Sequence, residues 1–187
     1  VQWYVEKVLK ESCTKYSSPW GVAVVQDTQT GDILALADSD EIEAGSDQAK
    51  MTVSRAVSET FEPGSIGKVF TMSGMIQLGL HQASDKFTVP DHITTNGQTY
   101  SDATTHGDEH WTLAGILEQS SNVGMIIAAE KMSNEQRYEF ISKFGIGQDN
   151  GLGLPGEADG LLYSADQWDL QTQNTVLFCQ AYTTNAL

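Results

Sequence analysis

Apolar and polar residues alternate with two different periods along this chain of 187 residues. From Gln2 to about Thr14 the apolar positions Trp3, Val5, Val8 and Leu9 recur at helical spacing among Glu and Lys, which predicts an amphipathic helix. Gly21-Val22-Ala23-Val24-Val25 and Ile33-Leu34-Ala35-Leu36-Ala37 are short runs suited to strands, and the turn residues Asp27-Thr28-Gln29-Thr30-Gly31 between them predict a hairpin. Asp38 to about Lys50 is acidic and turn-rich, as a mobile surface loop would be. Val69, Phe70, Met72, Met75, Ile76 and Leu78 return to helical spacing, giving a helix from Ser65 to about Leu80.

Beyond it, Thr88 to His110 is rich in Thr, Asn, Asp and Gly, with short strands at best. Helices resume near Thr112, Asn122 and Asn134. Gly145 to Gly160 is glycine-rich loop, and Ser164-Ala165-Asp166 has the form of an N-cap before a short helix. There is no internal repeat and no low-complexity tract.

Candidate chemistry concentrates where the second helix begins. Phe61-Glu62-Pro63-Gly64-Ser65-Ile66-Gly67-Lys68 places a serine and a lysine three residues apart, hence on one helix face. The helix N-terminus adds partial positive charge and free N–H groups beside the hydroxyl. Together these would activate a serine nucleophile. Ser-x-x-Lys alone is weak evidence, because Ser65 could be an ordinary N-cap and a second copy, Ser12-Cys13-Thr14-Lys15, sits at a polar helix end. The weight comes from Ser120-Ser121-Asn122, which interrupts two apolar helical patterns. Serine acyl enzymes that react with β-lactams combine a Ser-x-x-Lys with such an element and a Lys-Thr-Gly.

In wider context, Arg55-Ala56-Val57, Thr60 to Ser65 and Lys68-Val69-Phe70-Thr71 resemble the nucleophile region of class B penicillin-binding proteins. Ser120-Ser121-Asn122-Val123-Gly124 resembles their second motif. Phe144-Gly145-Ile146-Gly147, Gly153-Leu154-Pro155-Gly156-Glu157, Gly160-Leu161-Leu162 and the hairpin from Trp20 to Ala37 are similar to the family in the same order. The resemblance is closest to cell-division peptidoglycan transpeptidases of an actinobacterial type.

It implies an α/β serine acyltransferase fold of the penicillin-binding protein/β-lactamase kind, an antiparallel sheet flanked by helices with a helical subdomain. In those terms 1–38 would be helix plus hairpin, 39–64 loop, and 65–187 a mainly helical part carrying the motifs. By the same resemblance Ser65 is the nucleophile, Lys68 takes its proton, Ser120 relays a proton to the leaving amine, and Asn122 binds the substrate's amide backbone, with no cofactor and no metal. The implied activity is D,D-transpeptidation of peptidoglycan stem peptides during septation, on the extracytoplasmic face of the cell membrane. β-Lactams, division proteins and the remainder of the domain are the implied partners. A β-lactamase or β-lactam sensor of the same fold, for which Glu157 invites attention as a deacylating base, and a non-catalytic scaffolding piece are the alternatives.

The third motif is missing, since no lysine here is followed by Ser or Thr. Phe178-Cys179-Gln180-Ala181 resembles a family Phe-Gly-Gln-Gly stretch, with Cys179 and Ala181 replacing glycines. The expectation is therefore a chain that stops inside the catalytic domain, short of three sheet strands and of its membrane anchor.

Bulk properties narrow the remaining choices. A chain 40% hydrophobic and 19% charged is globular, and a net charge of −15 disfavours nucleic acid and anionic membrane surfaces. Cys13 and Cys179 form no disulfide framework and are expected as free thiols, Cys179 buried. His106-Gly107-Asp108-Glu109-His110 has the spacing of a zinc pair, but Gly107 opposes the helix that spacing needs, so a polar surface loop is expected.

Overall fold

The computed structural model describes residues 1–40 and 53–187. Two compact units emerge, interleaved in sequence, whereas the sequence reading runs in consecutive blocks. The first comprises Val1–Phe61, Asp149–Gly160 and Thr184–Leu187. The second comprises Glu62–Gln148 and Leu161–Thr183.

In the first unit, helix α1 (Gln2–Tyr16) ends on Ser17 in the left-handed region (φ 52°), whose N–H returns to the Thr14 carbonyl. Strands β1 (Val22–Gln26) and β2 (Ile33–Asp38) form the expected antiparallel hairpin, with Ala23 opposite Ala37 and Val24 opposite Leu36. The Gln2 side chain donates to the Leu36 carbonyl at 2.8 Å and accepts its N–H at 2.9 Å, so one amide satisfies both backbone groups on the outer edge of β2.

The acidic stretch expected to be loop falls largely outside the described residues. The expected loop over 39–64 nevertheless contains a short helix, α2 (Arg55–Ser58). Its N-cap Ser54 accepts the Ala56 N–H, and its hydroxyl and the Arg55 N–H both donate to Asp38. Ala56 and Val57, fully buried, supply its apolar face. Four residues are too few to show a helical period, so the pattern could not reveal it. The unit is closed by chain returns: Ala158 N–H donates to the Val57 carbonyl, and Phe61 and Thr184 exchange backbone bonds.

The second unit carries the larger core. A 3₁₀ turn (Gly64–Gly67) leads into α3 (Lys68–Gln77), so the α-helix begins three residues later than expected and stops before Gly79, which has φ 68°. Helices α4 (Leu113–Glu118), α5 (Asn122–Ala128) and α6 (Asn134–Lys143) start where the sequence placed them. Helix α6 opens with a capping box between Ser133 and Gln136.

Met72, Met75, Leu113, Ile116, Val123, Met125, Phe140 and Ile141 pack together with Val176, Leu177 and Tyr182 into one apolar cluster. The polar stretch after α3 forms two ribbons. Strands β3 (Lys86–Val89) and β6 (Glu109–Thr112) pair, as do β4 (His92–Thr95) and β5 (Gln98–Ser101). The latter turn on Asn96-Gly97, both at positive φ, a two-residue hairpin signal present in the sequence. A short helix α7 (Thr172–Thr175) and a 3₁₀ turn (Val176–Phe178) complete the unit. Among the described residues no helix is long and apolar enough to cross a membrane.

Candidate active site

Ser65 stands in the 3₁₀ turn before α3 and is exposed. The residue capping this turn is Pro63, without a side-chain bond, and α3 likewise begins without a side-chain cap. Capping therefore does not account for this serine. The turn is braced from the C-terminal side of the unit. Gly64 N–H donates to the Cys179 carbonyl at 3.0 Å, and the Glu62 carboxylate accepts Ala181 N–H at 2.9 Å. A Cβ at Gly67 would lie 2.7 Å from Cys179 Sγ and 3.1 Å from Tyr182 Oη, so only glycine permits this approach.

Lys68 opens α3, and its N–H donates to the Ser65 carbonyl, which holds the two residues in one turn. Its side chain is 0% exposed. Nζ donates to Ser120 Oγ at 3.1 Å and, in closer contact still, to the Ser120 backbone carbonyl. Burial lowers the Lys68 pKa below the usual lysine value, and the negative charge of Asp102 opposes that shift. Burial also raises the Cys179 thiol to about 11, so this neighbour is uncharged near neutrality.

Ser120 is exposed and left-handed (φ 55°), the hinge between α4 and α5. Its N–H donates to the Leu117 carbonyl and that of Ser121 to Ile116, which terminates α4. The capping of α5 falls to the middle serine. Ser121 Oγ accepts the Gly124 N–H at 2.7 Å and donates to Asp102 Oδ2 at 2.6 Å. This division of labour leaves Ser120 facing Lys68. Asn122 is the first residue of α5 and half-buried; its Nδ2 makes a long 3.4 Å bond to the Ser101 carbonyl. The structure thus joins Lys68 directly to Ser120 and ties Ser65 to Lys68 through the turn. Asn122 reaches neither and faces Ser101.

Two residues of this site were not singled out for it in the sequence. Asp102 accepts from Ser121 Oγ and from Val123 N–H, and pairs with His106 Nε2 at 3.2 Å. His106 was expected in a polar surface loop; its side chain is instead 13% exposed and lies against the Trp111 ring. The other member of the zinc-like spacing, His110, turns to Thr88 Oγ1. Among the described residues no three His, Cys, Asp or Glu side chains are grouped to hold a metal ion. Both cysteines are free, as expected.

The family model of the penicillin-binding protein transpeptidase domain matches residues 21–187. The chain belongs to this family. It is 35% identical to the penicillin-binding protein PbpB of Mycobacterium tuberculosis over 176 residues, 92% of this chain and 26% of that protein. To the peptidoglycan D,D-transpeptidase FtsI of Escherichia coli it is 33% identical over 153 residues, 79% of this chain and 25% of that protein.

Among solved structures, a peptidoglycan synthetase of Bifidobacterium adolescentis superposes with a TM-score of 0.95 at 72% identity, over 98% of this chain and 34% of its own. Penicillin-binding protein 3 of M. tuberculosis, complexed with ampicillin, superposes at 0.93 and 33% identity, over 98% and 42%. The chain therefore has the penicillin-binding protein transpeptidase fold, in the part of that domain it spans. It covers 26% and 25% of the two curated relatives.

Proposed function

We propose that this chain contributes the nucleophile and proton-transfer groups of a penicillin-sensitive peptidoglycan D,D-transpeptidase. One observation carries the reading: a buried lysine, one turn from an exposed serine, donates to Ser120 while Ser121 alone takes the capping role. Ser65 Oγ attacks the carbonyl of a D-Ala-D-Ala stem peptide, and neutral Lys68 accepts its proton. The peptide C–N bond breaks, and the departing D-Ala amine takes a proton through Ser120, whose hydroxyl both donates and accepts. An acceptor amine from a second stem peptide then attacks the Ser65 ester. Ser65 leaves with a proton and a cross-link remains. Asn122 aligns the substrate's amide backbone.

A β-lactam enters the same path, but its ring nitrogen stays tethered after C–N cleavage, so no small product departs. The relatives named for peptidoglycan synthesis support this substrate class, and the ampicillin-bound neighbour supports the inhibitor class. The reading places the whole protein at the outer face of the cell membrane among wall-synthesis and division proteins. A stem-peptide analogue ending in D-Ala-D-Ala, given with a labelled D-amino acid acceptor, tests the reading in the whole protein. Release of D-Ala with incorporation of the acceptor is expected. Turnover of penicillin without acceptor incorporation would place the protein among the β-lactamases instead.

A further inference from the structure

Asp102 follows β5, and its backbone N–H donates to the Asp91 carbonyl at 2.9 Å, which fixes the start of the loop. Its carboxylate is only 6% exposed. Oδ2 takes the Ser121 hydroxyl at 2.6 Å and faces His106 Nε2 at 3.2 Å, while Oδ1 takes the Val123 N–H at 3.0 Å. Two of its partners thus flank Asn122, and Ser121 directly follows Ser120. A buried carboxylate with three donors holds its surroundings rigidly, because losing any one donor strands charge in a poor solvent.

His106 has an unusual pair of neighbours. Nδ1 lies 2.7 Å from the Gly107 carbonyl and Nε2 lies against the Asp102 carboxylate, and both neighbours only accept. A neutral imidazole has one N–H and must leave one of these acceptors unmatched; the imidazolium satisfies both. The charged groups around the ring are Asp102 in its own loop, Asp91 before β4 with His92 at 2.6 Å from it, and Lys68 beyond Asp102. The Gly107 carbonyl and then Asp102 raise the His106 pKa above its ordinary value, and Asp91 adds to this.

The same carboxylate acts on Lys68, whose proton it helps retain. A cationic His106 cancels that charge; a neutral one leaves it to act on the lysine.

We propose that Asp102 and His106 are positioning residues of the acyl-transfer site: their ion pair holds the Ser120-Ser121-Asn122 turn in place and shields Lys68 from the Asp102 charge. This rests on the proposed transpeptidase reading. It makes the site responsive to pH from two sides. Lys68 must lose its proton to act, so the rate climbs as pH rises toward the lowered lysine pKa. His106 must keep its proton, so the rate declines as pH passes the raised histidine pKa, above the ordinary value of about 6.5.

The test is the second-order rate of acylation by a fluorescent penicillin, across neutral and alkaline pH, in the full-length protein. The variants are His106→Gln, His106→Lys, Asp102→Ala and the double His106→Gln/Asp102→Ala. Wild type should give a bell-shaped profile. His106→Gln should lose the falling limb, move the rising limb to higher pH and slow labelling near neutrality severalfold, because the uncovered Asp102 charge raises the Lys68 pKa. His106→Lys should restore the neutral rate and carry the falling limb toward the ordinary lysine pKa of about 10.4. The double variant should be no slower than Asp102→Ala, because the two residues act as one unit.

A His106→Gln profile that superposes on wild type, or losses that multiply in the double variant, would overturn the proposal while leaving the transpeptidase reading intact. Should the variants fail to fold, NMR titration of His106 in the wild type decides the matter. Its apparent pKa must coincide with the falling limb, and a histidine titrating elsewhere overturns the proposal. Absence of any Ser65 adduct in wild type would overturn the transpeptidase reading and this proposal together.

Discussion

The two serines of Ser120-Ser121-Asn122 should fail in opposite ways when each is changed to alanine. Ser121 is 1% exposed, caps α5 through Gly124 N–H and donates to the buried Asp102 carboxylate. Loss of an N-cap costs about 1 kcal/mol. Loss of a hydrogen bond to a charged group costs about 1.5–3 kcal/mol. Ser121→Ala should therefore destabilise the domain by ~2–4 kcal/mol, a fall in Tm of about 5–15 °C for a domain of this size.

Ser120 is exposed and its backbone carbonyl, which also receives Lys68, survives truncation of the side chain. Ser120→Ala should change stability by no more than about 0.5 kcal/mol, as exposed substitutions do. It should slow penicillin acylation by about 10²–10⁴-fold, the range for a general acid–base group. Calorimetric melting and stopped-flow labelling of the two variants in the full-length protein separate the effects. Melting of Ser121→Ala with wild type, or labelling of Ser120→Ala at the wild-type rate, would refute this division of roles.

Lys68→Ala should also slow acylation by about 10²–10⁴-fold. In wild type the rising limb of the pH–rate profile should have its midpoint below the free lysine value of about 10.4, because burial favours the neutral amine; a profile with no rising limb would remove Lys68 as the base. Ala181 holds φ 101°, a region that favours glycine, next to the Glu62 contact that braces the Ser65 turn. Ala181→Gly should stabilise the protein by roughly 1 kcal/mol through relief of backbone strain; a lower Tm in that variant would show the strain to be absent.

Much of the candidate site was legible because its signals are local. Ser65 and Lys68 share one turn, and the hinge at Ser120 is marked by two serines between apolar helices. Asn134 begins its helix behind Ser133, a cap readable from the capping box alone. Asp102 could not be read, because it meets Ser121 across 19 residues and nothing in the local pattern of either predicts the other. The resemblance pointed to Ser120 as the relay, and the backbone adds that capping of α5 falls to Ser121.

His106 was judged by its polar neighbours, while its burial is set by Trp111 packing against it. The resemblance of Phe178 to Ala181 to a glycine-bearing stretch did carry structural content: Cys179 (φ 64°) and Ala181 both adopt backbone that glycine would take without strain. The two-unit organisation depends on returns such as Ala158 to Val57, a contact no period reveals.

Covalent labelling tests Ser65 as the nucleophile without intermediaries. The full-length protein, incubated with a penicillin at neutral pH, is measured by intact-mass spectrometry and peptide mapping. A single adduct with the mass of the whole β-lactam is expected on the peptide containing Ser65, and it should be lost in Ser65→Ala. An adduct that persists in Ser65→Ala, or that maps to Ser12 or Ser120, would contradict this role of Ser65.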